Sequence, residues 1–226
     1  QDVIWPNMPL KRKIELPNFP IFAALISDTH FGSKEFMKEE FKKFIEWLKG
    51  DVKDSRNKYI SDRVKYVVFA GDVVDGVGVY PSQKDDLEIL DIRDQYDYAA
   101  KWLSQIPEHI HVIIIPGGAH DAIRRAMPHP AIPRKYAPNL YKLKNVTMLG
   151  NPAFFKLESV KFLVTHGDSF DDLVSSIPQL SYEKTTQAMI EMLRCRHIAP
   201  IYGLKTGIAP EIEDHLVIER IPDVFH

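Results

Sequence analysis

Apolar residues along this chain come in short unbroken runs, and four of these runs end alike. Phe22-Ala23-Ala24-Leu25-Ile26 leads into Asp28-Thr29-His30. Tyr66-Val67-Val68-Phe69-Ala70 leads into Gly71-Asp72-Val73-Val74-Asp75. His111-Val112-Ile113-Ile114-Ile115 leads into Pro116-Gly117-Gly118-Ala119-His120-Asp121. Val160-Lys161-Phe162-Leu163-Val164 leads into Thr165-His166-Gly167-Asp168. Near-continuous Val/Ile runs of this length predict strands covered on both faces. Each delivers Asp or His at its carboxyl end.

The intervening segments carry apolar residues at helical spacing. Ser33 is placed to cap a helix through Lys34 to Lys49, with Phe36, Phe41, Phe44, Ile45 and Leu48 as its stripe. The polar residues 50–64 predict a surface loop. Residues 89–104 and 183–194 predict further helices, and a short one opens at Asp121. The turn Gly150-Asn151-Pro152 predicts a strand pair between Val146–Leu149 and Phe154–Leu157, with a late strand at His215–Ile218. Residues 128–140, with four prolines, predict a loop packed over a neighbour. The alternation implies an α/β domain over residues 21–226. Prolines at 6, 9, 17 and 20 mark residues 1–20 as an extended lead-in from an upstream domain.

Composition adds boundaries. With 226 residues, one large domain or two small ones are expected. Lys and Arg number 29 against 31 Asp and Glu, a net charge of −2, so nucleic-acid binding would need a local patch or a partner. No apolar run approaches the ~20 residues of a membrane helix, and the Pro-rich start is not a secretory signal. Cys195 stands alone and forms no internal disulfide, which suits a reducing compartment. A cytoplasmic protein without a membrane partner is the expectation.

Ligands of such sheets bind outside the carboxyl ends of the strands, where all four Asp/His clusters fall. Asp and His together suit divalent ions such as Mn, Fe, Zn or Mg. Asp72 is the candidate bridge between two ions. Asp28 and His30 reach a common ion only if the chain kinks there, and His166 reaches the second ion from a separate strand. Two ions ~3.5–4 Å apart would clamp a phosphate and lower the pKa of a bridging water. His120 would stabilise the transition state or protonate the leaving oxygen, and Asp121 would orient its ring. Singly, an Asp at a strand end is more often a turn or helix cap, and a lone His a surface residue. Four matching clusters in one chain favour the metal site. Asp75 reads as support for the Asp72 turn, and Asp168 as a cap for a helix near Phe170. Tyr80, Trp47 and Trp102 read as packing residues rather than base-stacking platforms. His129 sits in a rigid loop.

The motifs Asp28-Thr29-His30, Gly71-Asp72-Val73-Val74-Asp75, Gly118-Ala119-His120-Asp121 and Thr165-His166-Gly167 resemble the calcineurin-like metallophosphoesterase superfamily. Within it, residues 20–226 resemble the small subunits of archaeal family-D DNA polymerases, through Ile26–Ser33, His120-Asp121-Ala122 with Arg124, Arg196–Pro200, Asp214–Glu219 and Ile221–Val224. The resemblance implies a four-layer α/β/β/α sandwich and a manganese-dependent 3′→5′ exonuclease that proofreads. It implies a large catalytic subunit and a single-stranded DNA 3′ end as partners, with a sliding clamp reached through regions outside this chain. Arg124 and Arg125 would then hold DNA phosphates, against the alternative of a solvated helix face. The cluster of Arg194, Arg196 and His197 would face nucleic acid, the partner subunit or plain solvent.

Two departures matter. The superfamily's third motif has Asn where this chain has Ala119 preceded by an additional Gly, and a methyl group cannot ligate. The last motif, G-H-x-H, does not occur before His226. By carry-over, one ion keeps Asp28, His30 and Asp72, and the other Asp72 and His166. The 226 residues as they stand are therefore expected to bind metal weakly and to show little nuclease activity. Two rival readings are a non-catalytic scaffold, like the eukaryotic small subunits, and a phosphoesterase acting on another ester.

Overall fold

A computed structural model describes residue 14 and residues 17–226. Most of the expected lead-in, residues 1–20, lies outside them.

The first sheet has four parallel strands in the order β1-β2-β3-β4: β1 Phe22–Ile26, β2 Val64–Ala70, β3 His111–Ile115 and β4 Val146–Met148. The second has three, β5 Ala153–Leu157, β6 Val160–Val164 and β7 Val224–Phe225, with β5 antiparallel and β7 parallel to β6. Alternation along the strands sorts their side chains into layers. Val68, Ala70, Ile113 and Ile115 face Ala153, Leu157, Phe162 and Val164 in the space between the sheets. Val67, Phe69, Val112 and Ile114 point the other way, into the largest cluster. There they meet α1 (Lys38–Leu48) through Phe41, Ile45 and Leu48, and α3 (Ile92–Leu103) through Tyr96, Ala99 and Leu103. On the outer face of the second sheet, Leu163 and Phe225 pack under Ile198 and Leu216 and under α4 (Phe170–Ser176) and α5 (Thr185–Cys195). The layers run α/β/β/α, as expected. Among the described residues no helix is long and apolar enough to cross a membrane.

Several local expectations fail, each for a physical reason. Helix α1 starts at Lys38, because Ser33 is engaged elsewhere: it forms a bridge with Leu87, and its Oγ accepts from the Glu35 N–H at 3.3 Å. Residues 50–64 are not all loop. They contain α2 (Ser55–Ser61), started by Asp54 Oδ2 accepting from the Asn57 N–H at 2.7 Å. Helix α3 begins at Ile92, after the Asp91 cap, rather than at residue 89. The segments around Gly150-Asn151-Pro152 do not pair, since β4 ends the first sheet and β5 opens the second. No helix forms at Asp121, where the chain bends. The segment 215–218 makes only a bridge between Val217 and His197.

Candidate metal centre

The expected residues gather where the carboxyl rims of the two sheets meet. Beyond β1 and β2 the ladder continues into the loops: the N–H groups of Asp28, His30 and Phe31 donate to the carbonyls of Gly71, Asp72 and Val73 at 3.1, 3.1 and 2.9 Å. The required kink is present. Asp28, His30 and Asp72 have φ of 54°, 45° and 48°, a left-handed conformation that non-glycine residues adopt at a cost. That conformation turns neighbouring side chains toward one side of the rim.

Four ligand-type side chains surround Asp72. One group joins His30, Asp72 and His120; the other joins Asp28, Asp72 and His166, each with ligand atoms within 4.8 Å of one another. Asp72 Oδ2 is the common point, 3.8 Å from His30 Nε2, 4.0 Å from His120 Nε2 and 3.3 Å from His166 Nε2. His30 Nε2 also lies 3.8 Å from Asp28 Oδ1, so Asp28, His30 and Asp72 stand together, with His120 Nε2 approaching the same carboxylate from the loop after β3. His226 belongs to neither group. Its backbone instead extends the β6–β7 ladder, donating to Leu163 O and accepting from the Thr165 N–H, each at 2.9 Å.

All three imidazoles are held by the opposite nitrogen. His30 Nδ1 lies 3.0 Å from Asp75 Oδ1, His120 Nδ1 2.6 Å from Asp75 O, and His166 Nδ1 2.8 Å from Ala70 O. A carbonyl or carboxylate can only accept, so each Nδ1 carries a proton and each Nε2 faces Asp72. Tethering of this kind fixes the tautomer of metal-ligating histidines. Asp75 anchors two rings at once. It is buried and braced by Gln83, whose Nε2 donates to Asp75 Oδ2 and to Asp75 O, both at 2.9 Å. Asp75 thus supports the turn, and its side chain sets the His30 ring.

The electrostatics point to a cation. Asp72 is 6% exposed, and its Oδ1 is buried with no hydrogen-bond partner. An ionised carboxylate left so poorly solvated needs positive charge nearby. Burial opposes the charge on His166, but Asp72 next to it, with Asp168 and the Ala70 carbonyl, pushes its pKa up to about 10. Burial likewise opposes the charge on His30, and the Asp28, Asp72 and Asp75 carboxylates outweigh it to raise the ring above its ordinary value. The His30 ring in turn lowers Asp28. The protons on these rings do the work that divalent cations among N and O donors would do, so the donor set fits hard or borderline metals. The packing leaves little room for change. A Cβ on Gly117 would stand 1.9 Å from Asp72 Oδ1, and one on Gly71 2.6 Å from His166 Nδ1.

Other expectations shift. Asp121 does not touch the His120 ring. It is buried, accepting from Tyr96 OH at 2.8 Å, Gly117 N–H at 2.9 Å and Val73 N–H at 3.3 Å, and burial pushes it up to about 6. It braces the loop after β2 against the loop after β3. Arg124 is committed to Pro128 O and Glu211. Arg125 is exposed on the same bend. Asp168 does not cap α4, whose N-cap is Ser169. It accepts from Asn151 Nδ2 at 3.0 Å and lies 3.3 Å from His129 Nε2. Ala119 is exposed. Asn151, in sequence only part of a turn, is wholly buried, and its Oδ1 accepts from Thr165 Oγ1 at 2.9 Å and from the His166 N–H at 3.4 Å. Its signal is a polar residue held between two strands that belong to different sheets.

Two sheets joined at a carboxylate-and-imidazole rim, with helices outside, define a metallophosphoesterase-like α/β fold. The sequence matches the family of DNA polymerase alpha/epsilon B subunits over residues 23–226, and the chain belongs to that family, among its archaeal small subunits. It is 47% identical over 224 residues to the DNA polymerase II small subunit of Archaeoglobus fulgidus, a match covering 99% of this chain and 45% of that protein. The subunit of the same name from Pyrococcus furiosus is 49% identical over 222 residues, 98% of this chain and 36% of that protein. That of Halobacterium salinarum is 37% identical over 227 residues, 100% of this chain and 43% of that protein. The chain thus spans less than half the length of these relatives.

Proposed function

We propose that this chain is the phosphodiesterase domain of an archaeal replicative polymerase small subunit. In this reading it removes nucleotides from single-stranded DNA 3′ ends, beside a large catalytic subunit in the cytoplasm. The observation that carries the reading is the convergence of three Nδ1-tethered histidines on one oxygen of buried Asp72. Asp28, His30 and Asp72 would hold one divalent cation, and Asp72 and His166 the other, with Mn the expected metal and His120 left free of both. Bound cations would supply Lewis-acid polarisation of the phosphodiester and activation of water. The chain's own residues do the rest. Asp75 and Gln83 fix the rings of His30 and His120. The Nδ1–H of His120 stays with Asp75 O, so a proton at Nε2 is the one it can deliver to a phosphoryl oxygen or to the departing 3′ oxygen. Asp121 and Tyr96 keep the two loops in register.

The test uses the full-length protein with 3′-labelled single-stranded DNA and Mn, beside methyl p-nitrophenyl phosphate as a substrate without a base. Release of 5′-mononucleotides, abolished by Asp72→Asn and accelerated by Ala119→Asn, supports proofreading hydrolysis. Hydrolysis of the small diester alone identifies a different phosphoesterase. A folded, Mn-supplied protein inert on both is a scaffold.

A further inference from the structure

A groove of about 610 Å³ opens from the metal centre along the N-terminal end of α1. One end is Asp28, His30 and His120 themselves. Farther along, Phe36, Met37, Phe44 and Tyr80 give it an apolar and aromatic wall, with Glu35 and Glu40 at its edge. We propose that this groove is a nucleobase site, holding the base of the 3′-terminal nucleotide whose phosphate lies at the metal centre. The inference rests on the phosphodiesterase reading and extends it to the substrate.

Three observations carry it. The first is continuity: the same cavity is lined by ligand-type side chains at one end and by rings at the other, so a molecule bridging them has a charged end and a flat apolar end. A nucleoside monophosphate has that form. The second is rigidity. Phe36 is locked 4.7 Å from Phe31 and 5.8 Å edge-on from Trp102, and Phe44 stacks on Trp47 at 6.0 Å. These rings cannot collapse into the groove. Met37, 66% exposed, and Tyr80, 42% exposed, complete it with surface that is costly to leave in water. The third is charge. Glu35 and Glu40 are exposed carboxylates on the same groove. They repel a phosphate and can accept from base amino groups, so the backbone is excluded and the base admitted. Stacking on such a surface tolerates any base, because every base offers a flat face.

The experiment measures binding of 5′-dAMP and of 2-deoxyribose 5-phosphate to the full-length protein by calorimetry, with Mn present. The compounds differ at C1, which carries adenine in one and a hydroxyl in the other. The expected result is an affinity for dAMP ~10-fold or more above that of the sugar phosphate, the gain of one stacked base. Met37→Ala combined with Tyr80→Ala should shrink that ratio several-fold and leave sugar-phosphate binding unchanged. Tyr80→Phe alone, which keeps the ring, should preserve it. Equal affinity for the two compounds in the wild type, or a ratio untouched by the double variant, overturns the base site while the metal centre stands. Failure of both compounds to bind would overturn the metal-centre reading, and the base site with it.

Discussion

His166 Nε2 stands 3.3 Å from Asp72 Oδ2, although Asp72 follows β2 of the first sheet and His166 follows β6 of the second. This contact joins the rims of the two sheets across the centre. Asp72 therefore serves both halves of the site, and its replacement should empty both.

Asp72→Asn keeps the shape and removes the charge. It should lower Mn affinity at both positions by about 100-fold or more, beyond the usual loss from disturbing a supporting residue. Titration followed by Mn paramagnetic resonance checks this. Retention of one tight site would show that Asp72 is not shared.

Metal uptake should expel protons. A cation needs the Nε2 lone pair, yet His166 is held up to about 10 and His30 above its ordinary value. In the metal-free protein at neutral pH, His166 is thus charged, and His30 holds its second proton more tightly than a free imidazole does. Binding must release roughly one proton at His166 and a further share at His30. Affinity should therefore rise with pH from 6 to 8, because the competing proton becomes scarcer. Calorimetry at pH 7 in buffers of different ionisation enthalpy measures the release. Heats independent of the buffer would contradict it.

Asn151→Ala should weaken both fold and site. Asn151 is wholly buried and receives Thr165 Oγ1 and the His166 N–H while donating to Asp168. Its loss leaves those buried groups unpaired, at a cost of about 2–3 kcal/mol. It also frees the His166 backbone, so Mn affinity should fall by about tenfold. Urea unfolding and Mn titration test the two effects separately, and a change in stability alone would make Asn151 purely structural.

Asp91→Ala serves as the control far from chemistry. Asp91 Oδ1 accepts from the N–H groups of Arg93 and Asp94 at 2.7 and 3.3 Å at the start of α3. Its loss should cost about 1 kcal/mol. Denaturant unfolding measures the cost, and Mn affinity should not move.

The sheets were legible because apolar runs such as Val67-Val68-Phe69-Ala70 carry a period that depends on burial alone, and the candidate ligands were legible because each stands where such a run stops. Helix α2 was hidden, since Ser55–Ser61 has no apolar stripe and depends on the Asp54 cap. Asp168 looked like a cap because local spacing cannot tell Ser169 from its neighbour, nor reveal Asn151 and His129 arriving from elsewhere in the chain. The role given to Asp121 failed for the same reason. Adjacency to His120 suggested that Asp121 orients its ring, while Tyr96 and the backbone N–H groups of Gly117 and Val73 claim the carboxylate. The tethering of each Nδ1 and the split of β4 from β5 are tertiary facts that no local pattern encodes.

An anomalous-scattering map from Mn-soaked crystals of the full-length protein tests the centre most directly. Two peaks are expected on either side of Asp72, one bonded to Asp28 and His30 and the other to His166. A map with no peak in bonding distance of Asp72, at saturating Mn, would contradict it.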